Sequence, residues 1–159
     1  MDAPDCGLCR VPEIDQELGR TEVWSDHLWR LTTSIGPGDV TLGFSYLEPK
    51  RHIPHIEDLD GEESTTFGTV IAHCSQALKH ATNAQRVYVY IFGGGIPHLH
   101  VHLAPHREGD ALNDALIKGE FEEEQLPSGA IAYRSKDFLE LPQQESISTA
   151  QIIRELLNQ

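Results

Sequence analysis

His98-Leu99-His100-Val101-His102-Leu103-Ala104 decides the reading of this chain. A β-strand repeats every two residues, so an extended backbone here sends three imidazoles to one face and Leu99, Val101 and Leu103 to the other. The apolar face packs on a core. The other face collects three groups that act near neutral pH as nucleophiles, proton carriers or metal ligands. A fold gains nothing from three stacked imidazoles, so the pattern points to chemistry. The stretch ends at Pro105 and runs into His106 and Arg107.

Working outward, Val87 to Phe92 reads as the clearest strand, and Gly93-Gly94-Gly95 turns the chain towards Pro97 and the histidines. Upstream, Thr21–Trp24, Leu28–Thr33 and Val40–Leu47 read as three strands. Gly36-Pro37-Gly38-Asp39 turns between the last two, which should pair antiparallel, and Pro49 stops the third. Asp60 or Ser64 caps a helix to about His80, with Phe67, Val70, Ile71, Cys74 and Leu78 at helical spacing. Asp110 to Lys118 reads as a short helix, residues 119–146 as loop, and residues 147–158 as an amphipathic helix capped by Ser148. The order β-β-β-α-β-β-α predicts an α+β fold: one domain over residues 1–159, an antiparallel sheet with helices on one side.

Composition bounds the partners. The chain has 159 residues and a formal net charge of −13. Such acidity argues against a nucleic-acid polymer, which needs a basic surface. It also opposes small anions at long range, so an anion site must be built locally. Lys50, Arg51 and Arg107 lie near the interesting histidines and can supply it. The run Glu120 to Glu124 reads as a solvated loop or helix end. No apolar run reaches the ~18 residues of a membrane span. The expectation is a soluble, cytoplasmic protein without a membrane partner. Three cysteines without a secretory signal argue against a disulfide framework. Cys6-Gly7-Leu8-Cys9, within a knuckle over residues 1–12, suits a tetrahedral metal such as zinc.

With these residues in view, the chain resembles the histidine triad (HIT) superfamily, whose motif is His-apolar-His-apolar-His followed by two apolar residues. Gly43 to His52 resembles that family's strand-then-Pro-x-x-His block, with Leu59 following. The resemblance spans roughly Cys6 to Gly109. It implies a HIT-like fold, a nucleotide or phosphate-ester hydrolase or nucleotidyl transferase, and a small-molecule nucleotide or phosphorylated substrate. It also implies that His100 is the nucleophile, forming a covalent phospho-histidine, and that His102 hydrogen-bonds the phosphoryl or leaving oxygen. A carbonyl must then hold the other ring nitrogen of His100. Some branches, including the hexose-1-phosphate uridylyltransferases, hold structural zinc at positions filled here by Cys6, Cys9, His52 and His98. His55 is a weaker substitute. Homodimers are common in the family.

The chain also departs from the family pattern. Phe44 stands where many members have a further histidine, Gly36 near the Asp or Asn that grips the ribose, and Gly95 where a Ser or Thr is usual. The backbone amides around Gly94 and Gly95 can still hold a phosphate, with His106 and Arg107 as further candidates for phosphate or leaving group. An altered substrate or relocated nucleoside contacts are therefore expected. Two other readings stay open: a hydrolase in which His98, His100 and His102 bind one catalytic metal, and a non-catalytic nucleotide-binding or sensor module.

Overall fold

The computed structural model describes residues 6–110, 120–136 and 138–159. Five antiparallel strands form the main sheet: β1 (Arg20–Ser25), β2 (Trp29–Ser34), β3 (Ser45–Pro49), β4 (Arg86–Tyr90) and β5 (Val101–His106). Their spatial order is β1-β2-β3-β5-β4. One face reads Leu31, Leu47, Val101 across the ladder, and all three are fully buried. Helices α2 (Gly61–Thr82) and α3 (Gln143–Leu157) cover that face. Val70, Cys74 and Leu78 of α2 and Ala150, Ile153 and Leu157 of α3 join the sheet's apolar residues in one core. Period two on the strands and period 3.6 on the helices supply those side chains. This is the expected antiparallel sheet with helices on one side.

Helix α2 starts after Asp60 and ends at Asn83, whose φ of 54° is a left-handed cap. The third strand begins at Ser45 rather than Val40. Residues 41–44 form a turn closed by Phe44 N–H donating to the Thr41 carbonyl at 3.2 Å. Gly43 makes the turn, with φ of +74°, and a Cβ there would lie 2.7 Å from Thr82 Cγ2. Pro49 ends the strand from inside it, opposite Trp29. Strand β4 starts one residue early and stops at Tyr90, leaving Ile91 and Phe92 outside the ladder.

Three elements differ from the sequence reading more deeply. Residues 119–146 are not loop throughout: β6 (Phe121–Gln125) and β7 (Ile131–Ser135) form a hairpin. Glu122 to Gln125 are all exposed, so no in-out alternation marks β6, and the acidic run, read as loop or helix end, is a strand. The last helix begins at Gln143 after Pro142, five residues before Ser148, which lies inside it. Short helix α1 (Glu13–Glu17) follows the knuckle, its first turn fixed by Pro12 at the N-cap. The short helix expected at Asp110–Lys118 falls outside the described residues beyond Asp110. No described helix is long and apolar enough to cross a membrane.

Helix α1 lies against the face of the sheet opposite α2 and α3 and closes a buried charge network. Glu48, 1% exposed, accepts from Arg20 at 2.6 Å and from Arg30 at 3.1 Å. Asp15 of α1 accepts from both arginines as well. Burial opposes the Arg20 charge, and Glu48 and Asp15 more than offset it. Removing one partner of such a cluster strands the others without solvent. Glu48→Ala is therefore expected to lower unfolding free energy by roughly 3–5 kcal/mol, read as a reduced urea midpoint. A midpoint equal to wild type would show that the network carries no stability.

Candidate active site and metal cluster

The triad does not sit on one regular strand. The β5 ladder starts at Val101, and residues 98–100 lie outside it. Leu99 N–H donates to the Ile53 carbonyl at 2.7 Å, tying this segment to the loop after β3. The alternation survives: Leu99, Val101 and Leu103 are buried, while His100 and His102 face the side opposite α2 and α3. His98 turns away from the other two into a separate cluster.

That cluster joins Cys6, Cys9, His52 and His98, whose candidate ligand atoms all lie within 4.8 Å of one another. Cys6 Sγ and Cys9 Sγ are each 3.4 Å from His98 Nδ1, and Cys9 Sγ is 3.5 Å from His52 Nδ1. A tetrahedral zinc with ordinary Zn–S and Zn–N bonds requires S···N edges of about 3.5 Å. His98 Nε2–H donates to the Pro49 carbonyl at 2.9 Å, which leaves Nδ1 unprotonated towards the thiols. Burial pushes the His98 pKa down, favouring the neutral ring that a metal needs. The donor set and its spacing fit zinc. His55 is not among the four.

His100 is oriented by its own backbone. Its Nδ1–H donates to the His98 carbonyl at 2.6 Å, so Nε2 carries the free lone pair. The His102 ring lies 5.2 Å away, edge to face. Aromatic rings surround His102: Tyr90 stacks on it, and Tyr46, Phe44 and Phe92 approach within 6.0 Å. The sequence reading passes over these tyrosines. Strand alternation could have found them, since Tyr88, Tyr90 and Phe92 share one parity, and pairing sets that parity beside His102.

The other candidates are dispersed. Gly94 and Gly95 are exposed at the turn, and an added Cβ at either would meet nothing within 4 Å. His106 is four residues beyond His102, roughly 13 Å along a strand, against Tyr88. The structure does not bring it to His100. Arg107 is held by Asp110 through its backbone N–H at 2.8 Å and its guanidinium at 3.2 Å. Arg51 is bound by Glu63 and Asp60, and its charge holds the Glu63 carboxyl below its usual range. Lys50 Nζ donates to the Asp26 carbonyl. These cations, expected to favour an anion, are engaged in the fold.

Gly36 has a packing reason to be glycine. A Cβ there would lie 3.0 Å from Gly19 Cα and 3.1 Å from Gly19 O. The two glycines cross back to back beneath an Ile35 N–H to Gly19 carbonyl bond of 2.8 Å. No carboxylate can stand at this position without moving β1.

A family model described as the HIT domain matches residues 40–109. A bis(5'-nucleosyl)-tetraphosphatase (asymmetrical) of Schizosaccharomyces pombe is 28% identical over 46% of this chain and 43% of its own length. A bis(5'-adenosyl)-triphosphatase of Dictyostelium discoideum is 29% identical over 50% of this chain and 56% of its own. The chain thus spans about half the length of the curated relatives it matches. A histidine triad nucleotide-binding protein of Sulfolobus tokodaii superposes with TM-score 0.65 at 24% identity, covering 96% of this chain and 92% of that one. A zinc-bound histidine triad protein of Mycobacterium smegmatis superposes with TM-score 0.61 at 19% identity, covering 96% and 93%. These matches bear on the fold and the family as a whole, not on the hexose-1-phosphate uridylyltransferase branch.

The glycine crossing generates a test. Gly36→Asp is expected to destabilise by about 1–3 kcal/mol through overpacking, with no gain in AMP affinity by calorimetry. A tighter-binding, equally stable variant would show that position 36 is open to a side chain.

Proposed function

We propose, from the premise that residues 40–109 are a HIT domain set in the histidine triad fold, that this protein cleaves a nucleotide or related phosphate ester by covalent transfer through His100. The observation that carries the proposal is the His100–His98 hydrogen bond, which fixes the tautomer a nucleophile requires. His100 Nε2 donates its lone pair to phosphorus, and the bond to the leaving group breaks with its electron pair on the departing atom. His102, beside it, hydrogen-bonds the phosphoryl or leaving oxygen. Water or another acceptor then attacks phosphorus, gives up its proton, and the N–P bond returns its electrons to His100. The exposed Gly94–Gly95 turn is proposed to present backbone amides to the phosphate. His106 and Arg107 would have to move to join it.

Cys6, Cys9, His52 and His98 are proposed to hold one structural zinc, which supplies rigidity and no step of the reaction. This assignment also weakens the alternative of one catalytic metal on all three triad histidines, because the His98 ring faces the thiols. A non-catalytic nucleotide sensor is separated from an enzyme by turnover. The relatives' names point to nucleotides as the substrate class, while Gly36 and Phe44 remove polar groups that many relatives use. Simple dinucleoside polyphosphates are therefore expected to be weak substrates, and free AMP a weak competitor.

Two experiments test the reading. Incubation with a nucleotide panel, followed by intact-mass measurement, is expected to detect an adduct on His100. His100→Ala should abolish it and lower kcat on the order of 10⁴-fold or more, whereas His102→Ala should lower kcat roughly 10²-fold. Unchanged turnover in His100→Ala would refute the nucleophile. Elemental analysis should find one zinc per chain, lost in Cys6→Ser/Cys9→Ser, and chelation should lower Tm because metal binding is folding energy. Zinc-free protein from zinc-replete medium would refute the metal assignment.

A further inference from the structure

His102 stands in a row of the sheet with a tyrosine on each side. Tyr46 of β3 and Tyr90 of β4 are both its registered partners. The two contacts differ in kind. Tyr46 meets the imidazole edge-on, with centroids 5.3 Å apart and planes at 65°. Tyr90 lies flat against it, at 4.7 Å and 16°. The second torsion of a histidine is broad and roughly two-fold, so backbone and rotamer preference alone do not fix the plane of the ring. A flat neighbour fixes that plane, and an edge-on neighbour blocks the swing towards β3. Phe44 and Phe92 are also near, each with its centroid 6.0 Å from that of the imidazole.

The Tyr90 hydroxyl sharpens the point. It is buried and has no hydrogen-bond partner among the described residues. Burial pushes its pKa up, so the phenol stays neutral. Buried tyrosines ordinarily satisfy that hydroxyl, and leaving it unpaired costs stability. The contact that Tyr90 makes with His102 is made by its ring.

We propose that Tyr90 is a positioning residue whose flat ring sets the plane of the His102 imidazole, so that His102 meets the reacting oxygen without reorganising. The inference rests on the reading of His102 given under Proposed function. Hydrogen bonds weaken steeply as they leave alignment, and a misplacement of about 1 Å can cost on the order of 10²-fold in rate. A ring that acts only through orientation should affect kcat and leave KM nearly untouched.

The test compares Tyr90→Leu with Tyr90→Phe in the full-length, zinc-replete protein. Tyr90→Phe keeps the flat ring and should retain kcat within about two-fold of wild type. Tyr90→Leu should lower kcat roughly 10- to 100-fold with KM changed less than about three-fold. Tm and zinc content are measured alongside. A second readout needs no variant: in the wild-type protein, NMR should show the His102 ring protons shifted upfield by the stacked phenol. Unshifted protons would overturn the proposal even if Tyr90→Leu does not fold. So would an undiminished kcat in Tyr90→Leu, or a Tyr90→Phe as slow as Tyr90→Leu, which would place the effect on the hydroxyl. Its failure is distinguishable from that of the reading beneath it. A wild-type protein without turnover ends both, whereas wild-type turnover preserved in Tyr90→Leu ends only this one.

Discussion

One residue, His98, couples the parts of this molecule that matter for chemistry. Its Nδ1 meets two thiols from the N-terminal knuckle, its Nε2–H donates to the last carbonyl of β3, and its backbone carbonyl receives the Nδ1–H of His100. Each bond constrains the next. The Pro49 carbonyl selects the tautomer that faces the thiols. Beside it, Leu99 N–H bonds the Ile53 carbonyl rather than β3, and the His98 carbonyl faces His100. Burial, which keeps the ring neutral, works in the same direction as the metal ligation proposed for it.

The sheet divides the remaining labour between its faces. The helix-covered face is apolar and supplies the core. The open face is split along its width: arginines and carboxylates lie under α1 at the β1–β2 side, and aromatic rings gather around His102 at the β5–β4 side. Tyr46 belongs to both halves, since it lies beneath Arg20 at 5.5 Å and edge-on to His102. Phe92, Gly94 and Gly95 are exposed. The Gly19–Gly36 crossing leaves no room for a side chain at position 36.

Charge follows the same logic. A chain of net charge −13 repels anions at a distance. The cations nearest in sequence to the histidines are already held by Asp60, Glu63, Asp110 and a backbone carbonyl. Under the proposed function, recognition of a phosphate falls to imidazoles and backbone amides, groups that carry little long-range field and act only at contact.

The sequence by itself determined what local periodicity encodes. The alternation at His98–His102 placed Leu99, Val101 and Leu103 in the core, the spacing from Phe67 to Leu78 gave α2, and the strand order gave an antiparallel sheet with helices on one side. The candidate metal residues, Cys6, Cys9, His52 and His98, came from family resemblance at matching positions, and the structure gathers them. Tertiary structure decided what depends on which strand lies beside which. It moved the third strand to Ser45, because Gly43 must turn against Thr82. It made a hairpin of an acidic run that carries no in-out alternation. It separated His98 from His100 and His102, which one-strand reasoning had placed together. The pairs Tyr46–His102–Tyr90 and Gly19–Gly36 are far apart in the chain, and only register and backbone crossing create them. Local pattern fixes which way a side chain points; the neighbour it meets is set by pairing between distant segments.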